Sequence, residues 1–277
     1  MATDPVARSD IREITSPANP AIKAVRALHQ KKARAETGRF LAEGLRVLTE
    51  AVDLGHRLET LVLRSGARSH PQTARLVAAC LDTGGEVLEV TDTVLAKVAR
   101  KDNPQGAVGV LRQTWTPLAT LDPRAAPVWT AIEAPRDPGN VGTLLRTGDA
   151  AGAGGAILLD RACDPFSLEG VRASMGSIFA QRLAHAGFDE LLAWCRAGGA
   201  TLVGASLQGA TDYQALAYPR PTVLLLGNEQ SGLPAAYAAA CDVLVRLPMR
   251  GRADSLNLAV AGALLLYEVY NQHRGRA

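Results

Sequence analysis

Polar side chains of types that can bind a ligand or transfer a proton follow two apolar runs near the end of the chain. Residues 222–226 (TVLLL) and 243–247 (VLVRL) are rich in aliphatic and β-branched side chains, which is typical of strands buried on both faces. Glu229 follows the first run, and Ser255 and Asn257 follow the second. Ligands of parallel α/β sheets bind beyond the carboxyl ends of the strands, so these side chains predict a ligand site. Carboxylate, hydroxyl and amide groups can orient a substrate there or assist a proton transfer.

A third polar group lies upstream, in a predicted helix that runs to about residue 151. Asn140 stands where the N-cap of this helix is expected, and Arg146 follows six residues later. Ser255 is likewise expected to cap a long apolar helix over 256–270. A helix cap and a surface arginine are the structural interpretations of Asn140 and Arg146. A polar site shared with Glu229 is the functional interpretation.

The patterns of other common cofactor and metal sites are missing from the sequence. The four cysteines form no CxxC pair, which argues against a zinc site and against a disulfide framework and fits the reducing cytoplasm. No G-x-G-x-x-G follows a predicted strand, and APRDPGNVG is not a Walker loop. The five histidines lie outside the polar groups described above. We therefore expect no metal, and any proton transfer must involve the three polar groups.

The three polar groups are parts of longer motifs in a characteristic order. NVGTLLRT at 140–147, GNEQSGL at 227–233 and LPMRGRADSLNLAVA at 247–261 resemble the three signature motifs of SpoU-type ribose 2′-O-methyltransferases, members of the SPOUT superfamily. The resemblance implies that S-adenosylmethionine is the cofactor and that RNA is the methyl acceptor. It also implies a homodimer formed through the catalytic domain and a C-terminal trefoil knot. Knots are rare in proteins, and the periodicity of the sequence does not itself predict one.

The same resemblance implies roles for individual residues. Arg146 matches an arginine proposed to take up the hydroxyl proton, although a free guanidinium is a poor base. The alternatives are that it stabilises the developing alkoxide or grips an RNA phosphate. Glu229 could orient Arg146 through an ion pair, and glycine at 227 would let the cofactor approach the backbone. The catalytic positions implied are Arg146, Asn140, Glu229, Ser255 and Asn257. The cofactor-binding positions implied are Leu226, Gly227, Leu247, Met249 and Leu256.

Two stretches in the first half extend the resemblance to a second domain. FLAEGLRVLTEA at 40–51 and KDNPQGAVGVL at 101–111 resemble the substrate-binding domain often attached in front of SpoU catalytic domains, which is similar to an RNA-binding ribosomal-protein fold. Residues 23–39 carry six basic residues and one acidic residue. A solvated helix face is the structural interpretation of that run, and a phosphate-binding surface is the functional one. The residues expected nearest RNA are Lys31, Lys32, Arg39, Glu43, Arg46, Asn103 and Gln105. For Asn103 and Gln105 the structural alternative is turn formation around a proline and a glycine.

The order of the predicted elements indicates two α/β domains. Residues 1–15 are expected to form a flexible lead, 16–113 an α/β domain that binds RNA, 114–126 a linker, and 127–277 the catalytic domain. The catalytic domain is predicted to have a mainly parallel sheet with helices on both faces. The first domain is predicted to begin with one basic helix. No apolar run is long enough for a membrane span, so we expect no membrane partner.

These observations favour an S-adenosylmethionine-dependent enzyme that methylates a ribose 2′-hydroxyl of structured RNA in the cytoplasm. The extra N-terminal domain favours 23S ribosomal RNA over transfer RNA as the substrate. A non-catalytic RNA-binding or ribosome assembly protein with the same fold is the alternative. The presence of all five polar site residues speaks against that alternative.

Overall fold

The structure is a computed structural model that describes residues 11–101 and 104–274. The described residues divide into two units. The first unit contains the residues up to Gln113 and also Phe166–Arg172, and the second contains Thr114–Pro165 and the residues from Ala173 onward. The predicted boundaries therefore need two corrections. Residues 166–172 belong to the first unit, and the predicted linker is part of the second unit, where Leu118 is buried.

A five-stranded mixed sheet forms the centre of the first unit. Its strands are β1 (Ile11–Ile14), β2 (Arg39–Glu43), β3 (Leu58–Arg64), β4 (Glu86–Val90) and β5 (Ala107–Arg112). Their spatial order is β1-β4-β3-β5-β2, with β1, β4 and β3 parallel and β5 antiparallel to both of its neighbours. The predicted flexible lead is wrong for β1, because its backbone pairs with β4 and Ile14 is buried in the core.

Among the described residues, five helices lie wholly in the first unit, and the predicted basic helix is divided into two of them. They are α1 (Pro20–Ala27), α2 (Lys31–Thr37), α3 (Leu45–Asp53), α4 (Pro71–Asp82) and α5 (Asp92–Ala99). The buried side chain of Arg34 donates hydrogen bonds to the carbonyl oxygens of Leu28 (2.8 Å) and His29 (3.0 Å). These carbonyls lie just beyond α1, where a continuous helix would have bonded them to backbone N–H groups. The chain therefore turns at residues 28–30 before α2 begins.

Seven parallel strands form the sheet of the second unit. They are β6 (Val128–Glu133), β7 (Gly155–Leu159), β8 (Arg182–Ala186), β9 (Thr201–Ala205), β10 (Thr211–Asp212), β11 (Thr222–Leu226) and β12 (Val243–Arg246). Their order is β10-β12-β9-β11-β6-β7-β8, and each neighbouring pair is parallel. The central strand β11 is buried along its whole length between β9 and β6. The prediction of a mainly parallel α/β sheet is confirmed.

Two helices of the second unit have N-caps that differ from those predicted from the sequence. They are α6 (Pro138–Ala150), α7 (Leu168–Ser174, which begins in the first unit), α8 (Phe188–Gly198), α9 (Ala235–Ala240) and α10 (Leu258–His273). Asp137, not Asn140, caps α6, and its Oδ1 accepts from the N–H of Gly139 at 2.7 Å. Asn257, not Ser255, caps α10. Both predicted caps are thus wrong by two or three residues, which frees Asn140 and Ser255 for other contacts.

Close packing of α10 on α6 and β11 brings the predicted motifs together. Gly262 of α10 is buried, and a Cβ atom there would lie 2.4 Å from Cδ2 of Leu144 and 2.7 Å from Cδ1 of Leu226. Such distances are shorter than any real carbon contact, so the approach of α10 depends on the missing side chain. The approach places the start of α10 beside the start of α6.

Candidate active site

A cavity of about 460 Å³ lies where β9, β11 and β12 end. Its volume is in the range of small-molecule sites, roughly 300–1,000 Å³. All five predicted cofactor-binding residues line it: Leu226, Gly227, Leu247, Met249 and Leu256. Glu229, Ser255 and Asn257 line it too, whereas Asn140 and Arg146 do not. Residues 205–208, at the end of β9, complete the wall and were missed because they carry no recognisable motif.

The loop at 227–232 is tightly closed, and this closure requires a glycine at position 227. A Cβ atom on Gly227 would lie 2.3 Å from the carbonyl carbon of Gly232 and 2.4 Å from the nitrogen of Leu233. The loop's own backbone therefore excludes a side chain. This is a reason for glycine that the sequence analysis did not give, and close approach of a cofactor to Gly227, which lines the cavity, stays a prediction.

Three of the predicted catalytic residues form a row of hydrogen bonds. Nδ2 of Asn257 donates to Oδ1 of Asn140 at 3.0 Å, and Nδ2 of Asn140 donates to Oε1 of Glu229 at 3.2 Å. Oδ1 of Asn257 accepts from the N–H of Ala259 (2.8 Å) and of Val260 (3.3 Å) as the cap of α10. Because Asn140 is buried, these two side-chain bonds satisfy a group that water does not reach. The row links the beginnings of α6 and α10 to the 227–232 loop.

Glu229 is held as a carboxylate by hydrogen bonds. Its oxygens accept from the backbone N–H groups of Arg136 (3.2 Å) and Asp137 (3.5 Å) in addition to Asn140. Partial burial alone would raise the pKa of Glu229, but these hydrogen bonds, with one from its own N–H, lower it below its usual value. The predicted ion pair between Glu229 and Arg146 does not occur among the described residues, because other donors occupy the carboxylate.

Arg146 is exposed on α6, and its guanidinium has no partner among the described residues. Within residues 11–101 and 104–274 it makes no hydrogen bond and no ion pair. Ser255 is also exposed, on the loop before α10. A guanidinium with five donors and no carboxylate beside it is available to an anion from outside the chain.

Asn228 is a site residue that the sequence analysis missed. Its Nδ2 donates to the carbonyl oxygen of Ala134 (2.7 Å) and its backbone N–H to Oε2 of Glu133 (3.1 Å). Its Oδ1 accepts from the N–H groups of Gln230 (3.0 Å) and Ser231 (3.4 Å). Asn228 is buried and anchors the 227–232 loop to the end of β6. Its position between a strand and a turn was the available signal, because asparagine commonly bonds to backbone two residues ahead.

In the first unit, Glu43 cannot face RNA as predicted. Its Oε2 accepts from Nε of Arg172 at 2.9 Å and from Nη2 of the same guanidinium, and its Oε1 accepts from the N–H of Gln105 at 3.3 Å. Only 3% of its side chain is exposed. Glu43 therefore holds residues 166–172 and the turn at Gln105 in place, and its prediction as an RNA-binding residue is wrong.

The other predicted RNA-binding residues have different surroundings. Lys31, Lys32 and Arg46 are exposed, and Lys32 lies 3.8 Å from Glu36 on the same helix. Arg39 forms an ion pair with Glu59, which also pairs with Arg112. Gln105 is exposed, whereas Asn103 lies outside the described residues. Among the described residues, no group of His, Cys, Asp or Glu could hold a metal ion, and no helix is long and apolar enough to cross a membrane.

The fold and site together define a class of protein. A parallel sheet ends in a cavity of cofactor size, and a row of hydrogen-bonded polar side chains borders it. This is the arrangement of an α/β enzyme that uses a small-molecule cofactor.

Comparison with known proteins identifies the family. The model of the SpoU rRNA Methylase family matches residues 127–267, and the model of the MRM3-like substrate binding domain matches residues 19–109. The chain belongs to the SpoU rRNA methylase family, as the three motifs predicted. The second match covers most of the first unit.

Individual relatives agree with the family over nearly the whole chain. The 23S rRNA (guanosine(2553)-2′-O)-methyltransferase RlmP of Bacillus subtilis (strain 168) is 30% identical over 259 residues, which are 94% of this chain and 99% of that protein. An rRNA methyltransferase from Sinorhizobium meliloti, solved with AdoMet (S-adenosylmethionine) bound, is 45% identical with a TM-score of 0.89 and covers 95% of this chain and 98% of its own. The SpoU methyltransferase AviRb from Streptomyces viridochromogenes, also solved with AdoMet, is 30% identical with a TM-score of 0.83 and covers 93% and 99%.

Proposed function

We propose that this protein transfers a methyl group from S-adenosylmethionine to a ribose 2′-hydroxyl of structured RNA, and that the RNA is 23S ribosomal RNA. The observation that carries the proposal is the position of the row Asn257–Asn140–Glu229, which borders a cavity lined by all five predicted cofactor-binding residues.

The residues around the cavity fit the cofactor. Leu226, Leu247, Met249 and Leu256 supply an apolar surface, and the loop that begins at Gly227 supplies backbone N–H and C=O groups. When bound, S-adenosylmethionine supplies a methyl group activated by its sulfonium. The cavity residues then hold and orient that methyl group toward the acceptor oxygen, which is the main requirement for a displacement reaction.

Arg146 supplies the positive charge of the site. Because an arginine side chain keeps its charge at accessible pH, we assign Arg146 to stabilise the negative charge on the ribose oxygen or its neighbouring phosphate, not to act as a base. Asn257 caps α10, and Asn140 and Glu229 join the start of α6 to the 227–232 loop. As the new carbon–oxygen bond formed, the carbon–sulfur bond of the sulfonium would break, S-adenosylhomocysteine would leave with the electron pair, and water would take up the hydroxyl proton.

The first unit binds the RNA substrate in this proposal. The exposed side chains of Lys31, Lys32 and Arg46 supply positive charge for phosphate groups, and Arg39 and Gln105 are exposed as well. A dedicated substrate domain and relatives named as 23S rRNA methyltransferases support ribosomal RNA over transfer RNA.

We also propose that the protein is a homodimer that associates through α10. Four large side chains on this helix are exposed, although α10 is otherwise apolar and well buried. They are Val260 (49% exposed), Leu264 (40%), Tyr267 (44%) and Tyr270 (38%). A stripe of this kind is typical of an interface between subunits. Light scattering of the purified protein, compared with the Leu264→Glu and Tyr267→Glu variants, tests this: the wild type is expected at twice the monomer mass.

We place the reaction in the cytoplasm, where free thiols stay reduced. Cys80, Cys195 and Cys241 form no disulfide bond. Burial raises the pKa of the Cys80 thiol to about 11 and that of Cys195 to about 12. Such thiols remain protonated and unreactive near neutral pH.

The reaction is tested by methyl transfer from labelled S-adenosylmethionine to RNA from cells that lack the gene. Ribosomal RNA and transfer RNA are assayed separately, and the label is mapped by its alkali-resistant linkage, which a 2′-O-methyl group creates. The wild type is compared with Arg146→Ala and with Arg196→Ala, a control for an exposed helical arginine in the same unit. We expect Arg146→Ala to lose roughly 100-fold or more in rate, as when a charge-stabilising donor is removed, with unchanged cofactor affinity.

The possible outcomes separate the hypotheses. Label at an alkali-resistant site of ribosomal RNA, lost only in Arg146→Ala, supports the proposal. Label in transfer RNA alone would mean that the substrate is transfer RNA and not ribosomal RNA. A protein that fails to bind S-adenosylmethionine would be a non-catalytic RNA-binding protein.

A further inference from the structure

The segment 227–237 contains the 227–232 loop and continues into α9, and it is attached to the sheet at both ends. At the first end, Oε2 of Glu133 accepts the backbone N–H of Asn228 at 3.1 Å, and the carbonyl oxygen of Ala134 accepts Nδ2 of Asn228 at 2.7 Å. Ala134 adopts a positive φ of 36°, which is unusual for a residue with a side chain. The end of β6 therefore presents two hydrogen-bond acceptors to Asn228.

At the other end, Tyr237 of α9 is held by a second carboxylate. Its hydroxyl donates to Oδ2 of Asp160 at 2.6 Å, and its ring stacks on Phe188 with ring centroids 3.6 Å apart and an interplanar angle of 7°. None of the six residues of α9 is fully buried. Because so short a helix has little apolar surface to hold it, Tyr237 is the main attachment of α9.

The two carboxylates lie at the same edge of the sheet. Glu133 ends β6, Asp160 directly follows β7, and these strands are paired in parallel with Glu133 opposite Leu159. Burial raises the pKa of Glu133, and the charges of Asp160 and Glu229 raise it further. Holding these like charges together costs free energy. Neither Glu133 nor Asp160 belongs to the three motifs, and neither lines the cavity.

We propose that Glu133 and Asp160 are positioning residues for cofactor binding, which hold the two ends of segment 227–237 so that its first half forms the wall of the cavity. Glu133 acts through Asn228, and Asp160 acts through Tyr237. The inference rests on the proposed function, because the ligand is S-adenosylmethionine. It adds to that function two residues outside the three motifs that hold the loop lining the cavity.

The test uses two pairs of variants of the full-length protein. Glu133→Ala removes the acceptor of the Asn228 N–H, whereas Glu133→Gln keeps an acceptor oxygen. Tyr237→Phe removes the bond to Asp160 but keeps the ring, whereas Asp160→Asn keeps an acceptor and suits the left-handed backbone at that position (φ 57°). Glu190→Ala, at an exposed glutamate of α8 in the same unit, is the matched control.

Two measurements are made on each variant. The first is the dissociation constant of S-adenosylmethionine by calorimetry, followed by KM and kcat for the cofactor. The second is hydrogen exchange of peptides covering 227–237 in the absence of cofactor, which does not depend on activity. We expect Glu133→Ala and Tyr237→Phe to weaken binding by about tenfold each, to raise KM with kcat within about twofold, and to speed exchange in 227–237. Glu133→Gln, Asp160→Asn and Glu190→Ala are expected to stay near the wild type.

The results distinguish a failure of this inference from a failure of the proposed function. If the wild type binds S-adenosylmethionine and Glu133→Ala binds equally well with unchanged exchange, Glu133 is not a positioning residue. If affinity falls equally in Glu133→Gln and Glu133→Ala, the charge itself matters and the hydrogen-bond account is wrong. If the wild type does not bind the cofactor, the proposed function fails, while faster exchange in Glu133→Ala would still show that Glu133 holds the segment.

Discussion

Asn257 donates a hydrogen bond from Nδ2 to Oδ1 of Asn140 at 3.0 Å, across 117 positions of the sequence. Asn257 also caps α10 with its Oδ1 atom. The oxygen of the Asn257 side chain therefore caps the start of α10, and its nitrogen orients the buried amide of Asn140. Because Asn140 passes the connection on to Glu229, the geometry of the 227–232 loop depends on both helix starts.

The two roles of Asn257 can be separated by substitution. Asn257→Asp keeps the capping oxygen but loses the donor to Asn140, so we expect near-normal stability and a rate of methyl transfer lower by roughly tenfold or more. Asn257→Ala loses both and should also cost about 1 kcal/mol in the free energy of unfolding. Urea denaturation and the labelled transfer assay measure the two effects. Equal stability of the two variants would contradict the capping role.

Gly227→Ala is expected to disrupt the cofactor cavity. The new Cβ would overlap the backbone at Gly232 and Leu233, so the loop must move, at a cost of about 1–3 kcal/mol in stability. We expect cofactor affinity to fall at least tenfold by calorimetry, since a loop that moves this far no longer forms the same wall. Gly251→Ala is the control, because a Cβ there meets no atom within 4 Å. Normal binding by Gly227→Ala would mean that the loop tolerates a different closure.

Glu43→Ala is expected to destabilise the first unit without a direct effect on RNA contacts. The substitution removes the buried acceptor of Arg172 and of the Gln105 N–H. Loss of a charge-assisted hydrogen bond should lower the free energy of unfolding by about 1.5–3 kcal/mol. Arg172→Ala should have a similar effect, and the double variant should cost less than the sum of the two. Full additivity would show that the two residues do not act together.

Replacement of Lys31 and Lys32 by alanine should reveal their phosphate contacts through salt dependence. Both are exposed on α2, so the double variant should keep the stability of the wild type. If each lysine contacts one phosphate, the slope of log affinity against log salt concentration should become less steep by roughly 1.4–1.8. Filter binding to ribosomal RNA at several salt concentrations measures the slope. An unchanged slope would restore the interpretation of this run as a solvated helix face.

The stability of the protein should depend on Glu133 in a pH-dependent way. Because burial first, and then Asp160 and Glu229, raise the pKa of Glu133, the fold disfavours its charged form. The stabilisation linked to this group is complete below the ordinary glutamate value of about 4.3 and is lost as pH rises through the raised pKa. Glu133→Gln should therefore gain stability relative to the wild type as pH rises from about 4 to 8. Denaturation across that range checks this, and a stability difference between variant and wild type that does not shift in favour of the variant as pH rises would contradict it.

The central strands of both sheets could be predicted from the sequence, and most of the edge strands could not. Strands such as Thr222–Leu226 are buried on both faces and therefore appear as continuous apolar runs. Three strands without a continuous apolar run, β1, β8 and β10, all lie at sheet edges. An edge strand has a neighbour on one side only and needs fewer apolar residues, so its sequence resembles that of a loop.

The sequence by itself determined the family, the order of the motifs and the cavity-lining residues that belong to those motifs, because these depend on residue type at fixed local spacing. Only the tertiary structure decided which groups meet. Glu229 bonds to backbone and Asn140 instead of Arg146, Glu43 is buried against Arg172, and Asn228 anchors the loop. Each of these pairs joins residues distant in the chain, and a hydrogen bond depends on distances of a few tenths of an ångström that local pattern does not encode.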